Sequence, residues 1–254
     1  MKDIQLLRNR GEKVILVHGG GYYVTELMQK LGIQPQFVKS PSGVVSRYTD
    51  WNTLWCYVMG MMWLNKQIVS KLQELGVNAV GLSGADGKLL LAKRKEKIVI
   101  VDERGRQRLI DGGYTGKIVD VNIDLLNTLL NKDIVPVIAP IAIDSSGTLL
   151  NVDSDQVATA IATKLRPDIV TILLDVDGLI LGGQVVQQLT PEEAEKIFKE
   201  SPEVTGGMKR KLYMAAQIAK EGVKVVIANG LRESPIINAM QNRGTVITSS
   251  KSNT

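Results

Sequence analysis

Apolar residues fall in two alternating rhythms along this chain. Short, mainly apolar runs at 14–17, 77–82, 134–143, 169–174 and 223–228 suit strands covered on both faces. Between them, over 22–31, 123–131, 156–165 and 191–199, apolar residues return at helical spacing. Thr190 is placed to cap the 191–199 helix, and 246–248 reads as a last strand. Strands alternating with helices predict an α/β protein: a three-layer αβα sandwich with a mostly parallel central sheet.

Three stretches break the alternation. Residues 32–46, with Pro35, Pro41 and Gly43, read as loop. Residues 89–109 read as a β-meander with charged turns. Residues 54–64 are apolar all round, including Trp55, Tyr57, Met59, Met61, Met62 and Trp63, within a helix that Asp50 caps and Gly76 ends. A membrane span needs about 20 such residues, so this helix is expected inside the protein, buried on several sides. Two readings of it stand, simple core burial and core plus a homodimer interface through 50–75. Cys56 within it reads as a small packed hydrophobe.

The first strand ends in His18-Gly19-Gly20-Gly21, and a helical pattern starts immediately. Glycines there allow a sharp turn and close approach to their N–H groups, and a helix start attracts anions. The turn is therefore either a phosphate cradle or a tight strand–helix connection without a ligand. In an open α/β sheet, ligands gather beyond the carboxyl ends of strands. Asn151 and Asp155 bracket a helix start, Asp175 ends a strand, and Lys211 opens a helix. Each has a plain reading as cap, turn or surface. Together with the glycine turn they supply a cradle, a carboxylate and an ammonium, the parts phosphoryl transfer requires.

Composition removes several alternatives. Among 254 residues there is one cysteine and one histidine, which excludes an intrachain disulfide and a multi-histidine zinc site. Net charge is +5 and aromatics are 4%, so neither a nucleic-acid binder nor a base-stacking platform is expected. No signal-peptide pattern opens the chain, which fits the cytoplasm. Residues 112–117 (Gly-Gly-Tyr-Thr-Gly-Lys) miss the P-loop spacing, with Ile118 where a Mg²⁺-binding hydroxyl belongs. The 89–109 segment concentrates basic residues in its turns, either a solvated surface or a dock for an acidic partner.

Five motifs, taken in order, resemble the amino acid kinase family in its acetylglutamate kinase branch. They are Val17-His18-Gly19-Gly20-Gly21, Ser46-Arg47-Tyr48-Thr49, Asn151-Val152-Asp153-Ser154-Asp155, Asp175-Val176-Asp177-Gly178 and Gly206-Gly207-Met208-Lys209-Arg210-Lys211. Ser40-Pro41-Ser42-Gly43, Ser46-Arg47-Tyr48-Thr49 and Gly112 to Lys117 resemble more the group acting on glutamate or 2-aminoadipate tethered to the carrier protein LysW. The resemblance implies one amino acid kinase domain over 1–254, binding acyl substrate up to about 150 and ATP beyond. It implies transfer of a phosphoryl group from ATP, with Mg²⁺ on the nucleotide, to a side-chain carboxylate. Gly20, Gly21, Arg47 and Asn151 would bind substrate, and Gly19 and Asp175 the nucleotide. Lys211 would stabilise the transferring group, Asp155 would orient lysines, and His18 would be structural. An acidic carrier makes Lys93, Arg94, Lys95, Lys97, Arg104, Arg106 and Lys117 docking candidates. No metal site on the protein itself is expected, nor a membrane or nucleic-acid partner. The family opens with a strand carrying Lys-x-Gly-Gly, and nothing before Val14 matches it. That strand and its lysine, roughly a dozen or more residues by usual element lengths, are therefore expected to be missing here. Acetylglutamate kinase acting on free substrate, and a non-catalytic nucleotide- or carrier-binding protein, are the rival readings.

Overall fold

The computed structural model describes residues 1–249. The chain forms two compact units, one of Met1 and residues 5–158, the other of residues 2–4 and 159 onward. The division falls inside a helix, one turn past its start.

The first unit begins with α1 (Lys2–Asn9), whose first residues belong to the second unit, and β1 (Leu16–Val17). After α2 (Gly21–Lys30) come β2 (Phe37–Lys39) and β3 (Val45–Arg47), then the long α3 (Trp51–Glu74) and β4 (Ala79–Leu82). Four strands follow: β5 (Leu90–Arg94), β6 (Lys97–Val101), β7 (Gln107–Asp111) and β8 (Gly116–Val121). The unit closes with α4 (Ile123–Asn131), β9 (Val135–Ile138), β10 (Ile141–Ile143), β11 (Leu149–Asn151) and the start of α5 (Ser154–Leu165).

A parallel sheet in the order β1-β9-β4 forms its centre. β9 is buried at every position, as its unbroken apolar run requires. β1 is shorter than expected and only half-buried, because among the described strands only β9 pairs with it. α2 and α3 pack on each other and on Ala139 and Ile141 through Val24, Met28, Cys56, Tyr57 and Met61. Gly60 permits this approach: a Cβ there would stand 3.2 Å from Val24 Cγ2.

Three expectations need correction. Residues 32–46 contain strands, because β2 and β3 pair as an antiparallel hairpin. The 89–109 segment is not one meander. β5 pairs with β8 and β10, whereas β6 pairs with β7 and β2, so neighbours in sequence enter different sheets. α3 is not buried all round within the chain. Leu54, Cys56, Tyr57, Met61 and Leu72 are buried, but Trp51, Trp55 and Trp63 remain 63%, 56% and 64% exposed. Asp50 caps the helix as expected, accepting from Thr53 N at 2.8 Å.

The second unit takes over along α5 and continues with β12 (Ile169–Leu174) and three two-residue strands, β13 (Ile180–Leu181), β14 (Gln184–Val185) and β15 (Gln188–Leu189). Then come α6 (Pro191–Glu200), α7 (Gly206–Lys220), β16 (Lys224–Asn229), α8 (Pro235–Met240) and β17 (Thr245–Ile247). Its sheet runs β12-β16-β17-β15 and is mixed: β12 and β16 are parallel, β17 antiparallel to β16. Thr190 and Glu193 close a capping box on α6. Asp3, from α1, accepts the N–H groups of Ile236 and Ile237 at the start of α8. Among the described residues no helix is long and apolar enough to cross a membrane.

Candidate substrate and nucleotide sites

In the first unit, Gly20, Gly21 and Arg47 meet at the glycine turn, and Asn151 is tied to the Arg47 backbone through Thr49. Gly20 is the N-cap of α2 with φ +151°, and a Cβ on it would lie 2.8 Å from Leu64 Cδ2, so only glycine fits. Gly21 opens the helix, and its carbonyl accepts from Arg47 Nη2 at 3.1 Å. Arg47, the last residue of β3, is thus returned to the turn by the hairpin that the sequence did not reveal. Its Nη2 also donates to Thr25 Oγ1 (2.8 Å) and its Nη1 to Met28 Sδ (3.4 Å), while the guanidinium lies 4.8 Å over the Phe37 ring. Among the described residues its Nε–H takes no partner, so donors remain for a ligand. Burial lowers its pKa from the ordinary arginine value.

Asn151 ends β11, and its Nδ2 donates to Thr49 Oγ1 at 2.8 Å. Thr49 is fully buried, and its hydroxyl donates onward to Arg47 O at 3.3 Å. One threonine therefore ties the Asn151 side chain to the backbone of Arg47. Its own carbonyl accepts from Tyr114 N at 2.7 Å, and Gly113 sits so close to that carbonyl that a Cβ would overlap it. Gly112 to Lys117 is a turn leading into strand β8, not a phosphate loop. α5 starts beside the turn, since Ser154 Oγ is 3.5 Å from where a Cβ on Gly19 would be. Asp155 stands in the first turn of α5, and its N–H donates to Asp153 Oδ1 at 2.9 Å.

Beneath the turn lies a polar pair. His18 is buried, with Nδ1 2.7 Å from Gly19 O and Nε2 3.1 Å from Asn65 Nδ2. Desolvation by burial holds the imidazole below its ordinary pKa of 6.5.

In the second unit, α7 runs antiparallel to β16, so the start of α7 lies at the carboxyl edge of the parallel pair β12 and β16. Asp175, just past β12, and Lys211, in the second turn of α7, occur at that edge. A cleft of about 320 Å³ opens there too, lined by Asp177, Gln187, Asn229, Arg232, Asn238 and Arg243 among others. Asp177 accepts from Arg232 through Nε (2.7 Å) and Nη2 (2.6 Å) and from Asn229 Nδ2 (2.9 Å). The Arg232 hydrogen bonds, then that of Asn229, hold the carboxyl below its usual range. Sequence reasoning missed Thr49, Asp177, Asn229 and Arg232. Thr49, inside Ser-Arg-Tyr-Thr, and Asp177, inside Asp-Val-Asp-Gly, stood within motifs; Asn229 and Arg232 carried no local signal.

The basic candidates divide. Arg106 and Arg108 share the Asp102 carboxylate at 3.0 and 2.8 Å, and Arg94 pairs with Asp111 at 2.9 Å. The Arg106 backbone bond, aided by both side chains and the Arg104 N–H, lowers the Asp102 pKa to about 2. Lys93 and Lys117 are exposed directly opposite each other on β5 and β8. Lys95 is exposed between β5 and β6, Lys97 at the start of β6, and Arg104 in the β6–β7 turn at the far end of β6. Among the described residues no group of three or more His, Cys, Asp or Glu side chains could hold a metal ion.

Residues 1–229 match the model of the amino acid kinase family. The chain belongs to the amino acid kinase family. A protein of Pyrobaculum calidifontis, provisionally named a LysW-aminoadipate/LysW-glutamate kinase, is 55% identical over 246 residues, covering 97% of this chain and 92% of that protein. The LysW-aminoadipate/LysW-glutamate kinase of Saccharolobus solfataricus is 48% identical over 248 residues, covering 97% and 93%. The crystal structure of smu.665 from Streptococcus mutans UA159 shares the fold, with TM-score 0.78 at 24% identity, over 98% of this chain and 91% of that one. As an amino acid kinase, the chain carries the α/β architecture that its apolar rhythm predicts, with parallel ladders at the centre of the first unit and in β12 and β16.

Proposed function

We propose that this amino acid kinase transfers the γ-phosphoryl group of ATP to the side-chain carboxylate of 2-aminoadipate, glutamate or both, carried on the small acidic protein LysW. The observation that carries the reading is the gathering of Gly20, Gly21, Arg47 and Asn151 in one unit, in a chain whose relatives bear that name. A carboxylate oxygen attacks the γ-phosphorus, the bond to the bridging oxygen of ADP breaks, and an acyl phosphate forms. An ionised carboxylate needs no general base, which agrees with a buried, neutral His18. Arg47 holds the substrate α-carboxylate with its remaining donors, and Asn151 binds the same part. Gly20 and Gly21 offer backbone donors to the reacting end. Gly19 and Asp175 serve the nucleotide, Lys211 meets charge on the transferring group, and Asp155 orients lysine side chains. Mg²⁺, carried by the nucleotide and not by side chains of the protein, would neutralise the phosphates when bound. The reaction belongs to lysine or arginine biosynthesis in the cytoplasm.

Two surfaces complete the proposal. Lys93 and Lys117 oppose each other across a ladder, an arrangement unfavourable by roughly 0.2–1 kcal/mol that an acidic carrier would relieve. The docking patch is centred on them and takes in Arg94, Lys95 and Lys97, with Arg104 and Arg106 as further candidates along the β6–β7 hairpin. The uncovered tryptophans of α3 form the contact of a homodimer.

The test supplies ATP with LysW-aminoadipate, LysW-glutamate or free N-acetylglutamate and traps acyl phosphate as the hydroxamate. Carrier-bound substrate is expected to turn over far more efficiently. Equal or better use of free N-acetylglutamate would replace this reading with plain acetylglutamate kinase. No hydroxamate from any substrate would leave a non-catalytic binding protein.

A further inference from the structure

The His18–Asn65 pair is a buried polar contact beneath the glycine turn that the proposed chemistry does not use. Its hydrogen bonds admit a single protonation state. Gly19 O can only accept, so the proton between it and His18 sits on Nδ1. Asn65 Nδ2 donates to Val137 O at 2.9 Å, which fixes the orientation of that amide, because a flip would set Oδ1 against a carbonyl oxygen. The same Nδ2 is 3.1 Å from His18 Nε2, which must therefore be the bare, accepting nitrogen. A doubly protonated ring would bring N–H against N–H₂.

The arrangement is kept at a loss of stability. Asn65 is fully buried, and its Oδ1 has no hydrogen-bond partner among the described residues. Gly81 is packed against that oxygen so tightly that any Cβ would overlap it, and Lys66 Nζ holds Gly81 O at 2.9 Å. An apolar residue at 65 would remove the orphaned acceptor. What it could not do is lock the imidazole. The lock acts on the turn through covalent geometry. Gly19 C=O and Gly20 N–H belong to one planar trans peptide and point in opposite directions, so holding the carbonyl on the imidazole aims the amide.

We infer that His18 is a positioning residue: a neutral imidazole, locked by Asn65 as its Nδ1–H tautomer, that holds Gly19 O and thereby aims the Gly20 N–H at the substrate. The inference rests on the proposed substrate role of the glycine turn. The depressed imidazole pKa accords with the lock.

His18 is the only histidine in the sequence, so its ring nitrogens are read without assignment by mutation. In ¹⁵N spectra of the 254-residue protein at pH 7.5, Nδ1 is expected to be protonated and Nε2 bare; the opposite tautomer or a mixture overturns the inference. His18→Asn keeps a donor near the Nδ1 position, His18→Gln reaches toward the Nε2 position, and His18→Leu keeps neither. In His18→Leu the Gly20 amide resonance should move and kcat should fall about ten- to a hundredfold with KM little changed. His18→Asn should recover most of kcat and His18→Gln little. An unmoved Gly20 amide, kcat within twofold of the wild type in His18→Leu, or equal rescue by both amides overturns it. If the wild-type protein turns over no carrier-bound substrate, the functional reading falls. The tautomer and the Gly20 resonance then still decide the geometry.

Discussion

Thr49→Val isolates the link between Arg47 and Asn151. The two side chains have nearly the same shape, so no cavity opens and only the hydroxyl is lost. That hydroxyl accepts from Asn151 Nδ2 at 2.8 Å and donates to Arg47 O at a longer 3.3 Å. A hydrogen bond contributes about 0.5–1.5 kcal/mol net, so one good and one long bond together contribute roughly 1.5–2 kcal/mol. Burying a methyl group instead returns about 0.8 kcal/mol. Thr49 is fully buried, so that gain is realised, while half-buried Asn151 can regain water. The net cost is therefore about 1 kcal/mol, read as a lower urea midpoint at unchanged slope. The functional effect should be larger than the structural one. With its amide released, Asn151 no longer meets substrate in a fixed pose, and KM for carrier-bound substrate should rise about tenfold while kcat changes little. Hydroxamate kinetics on Thr49→Val and Asn151→Ala make the comparison. If Asn151→Ala raises KM but Thr49→Val stays within twofold of the wild type, Thr49 does not position Asn151. If neither raises it, Asn151 is no substrate ligand.

Arg47→Lys should raise KM at least tenfold, because an ammonium cannot keep Gly21 O and Thr25 Oγ1 and also grip a carboxylate with a planar fork; unchanged KM in the same assay would contradict this. Tyr57→Phe should lose about 1 kcal/mol in urea unfolding, since its buried hydroxyl lies 3.2 Å from both Pro140 O and Val152 O; an unmoved midpoint would mean those contacts contribute nothing. The folded pKa of His18 lies below 6.5, so from 6.5 down to that value the unfolded chain binds more protons. Stability should thus fall as pH drops through this window, and fall less in His18→Asn than in the wild type. Equal losses in paired urea titrations at pH 7.5 and 5.5 would refute the assignment.

How far the sequence was legible depended on how local each cause was. α4 and β12 run over the predicted residues, and Asp50 and Thr190 cap their helices, because periodicity and capping act within a few residues. The β2–β3 hairpin escaped notice because its strands are three residues long and mostly exposed, so they show no apolar run. β5 and β6 looked like neighbours because only Lys95 and Glu96 separate them. Their partners are set by register with β8 and β7, which no local pattern encodes. The site followed the same division. Arg47, Asn151 and the glycines stand in recognisable motifs. Arg232 meets Asp177 across 55 residues of chain, and neither that contact nor the Thr49 hydroxyl leaves a mark in short-range spacing.

The charge around Arg47 gives an independent reason to place an anion there. Other arginines of the described structure meet carboxylates: Arg8 meets Asp133, Arg94 meets Asp111, Arg166 meets Glu221 and Arg232 meets Asp177. Among the described residues Arg47 has only neutral partners, a carbonyl, a hydroxyl, a thioether and the face of Phe37. It is also half-buried, and its lowered pKa reports the loss of water around the charge. A desolvated cation without a counter-ion is unfavourable to the fold, whereas a structural role would be served by a neutral side chain of similar length. The same desolvation strengthens its attraction for an incoming carboxylate, because less water is displaced and the local dielectric is lower. The counter-ion absent from the protein is then the one that the substrate brings. Replacing Arg47 with Met should accordingly cost little stability, or none, while abolishing saturation by carrier-bound substrate. A large loss of stability in that variant, with KM preserved, would make Arg47 a structural residue.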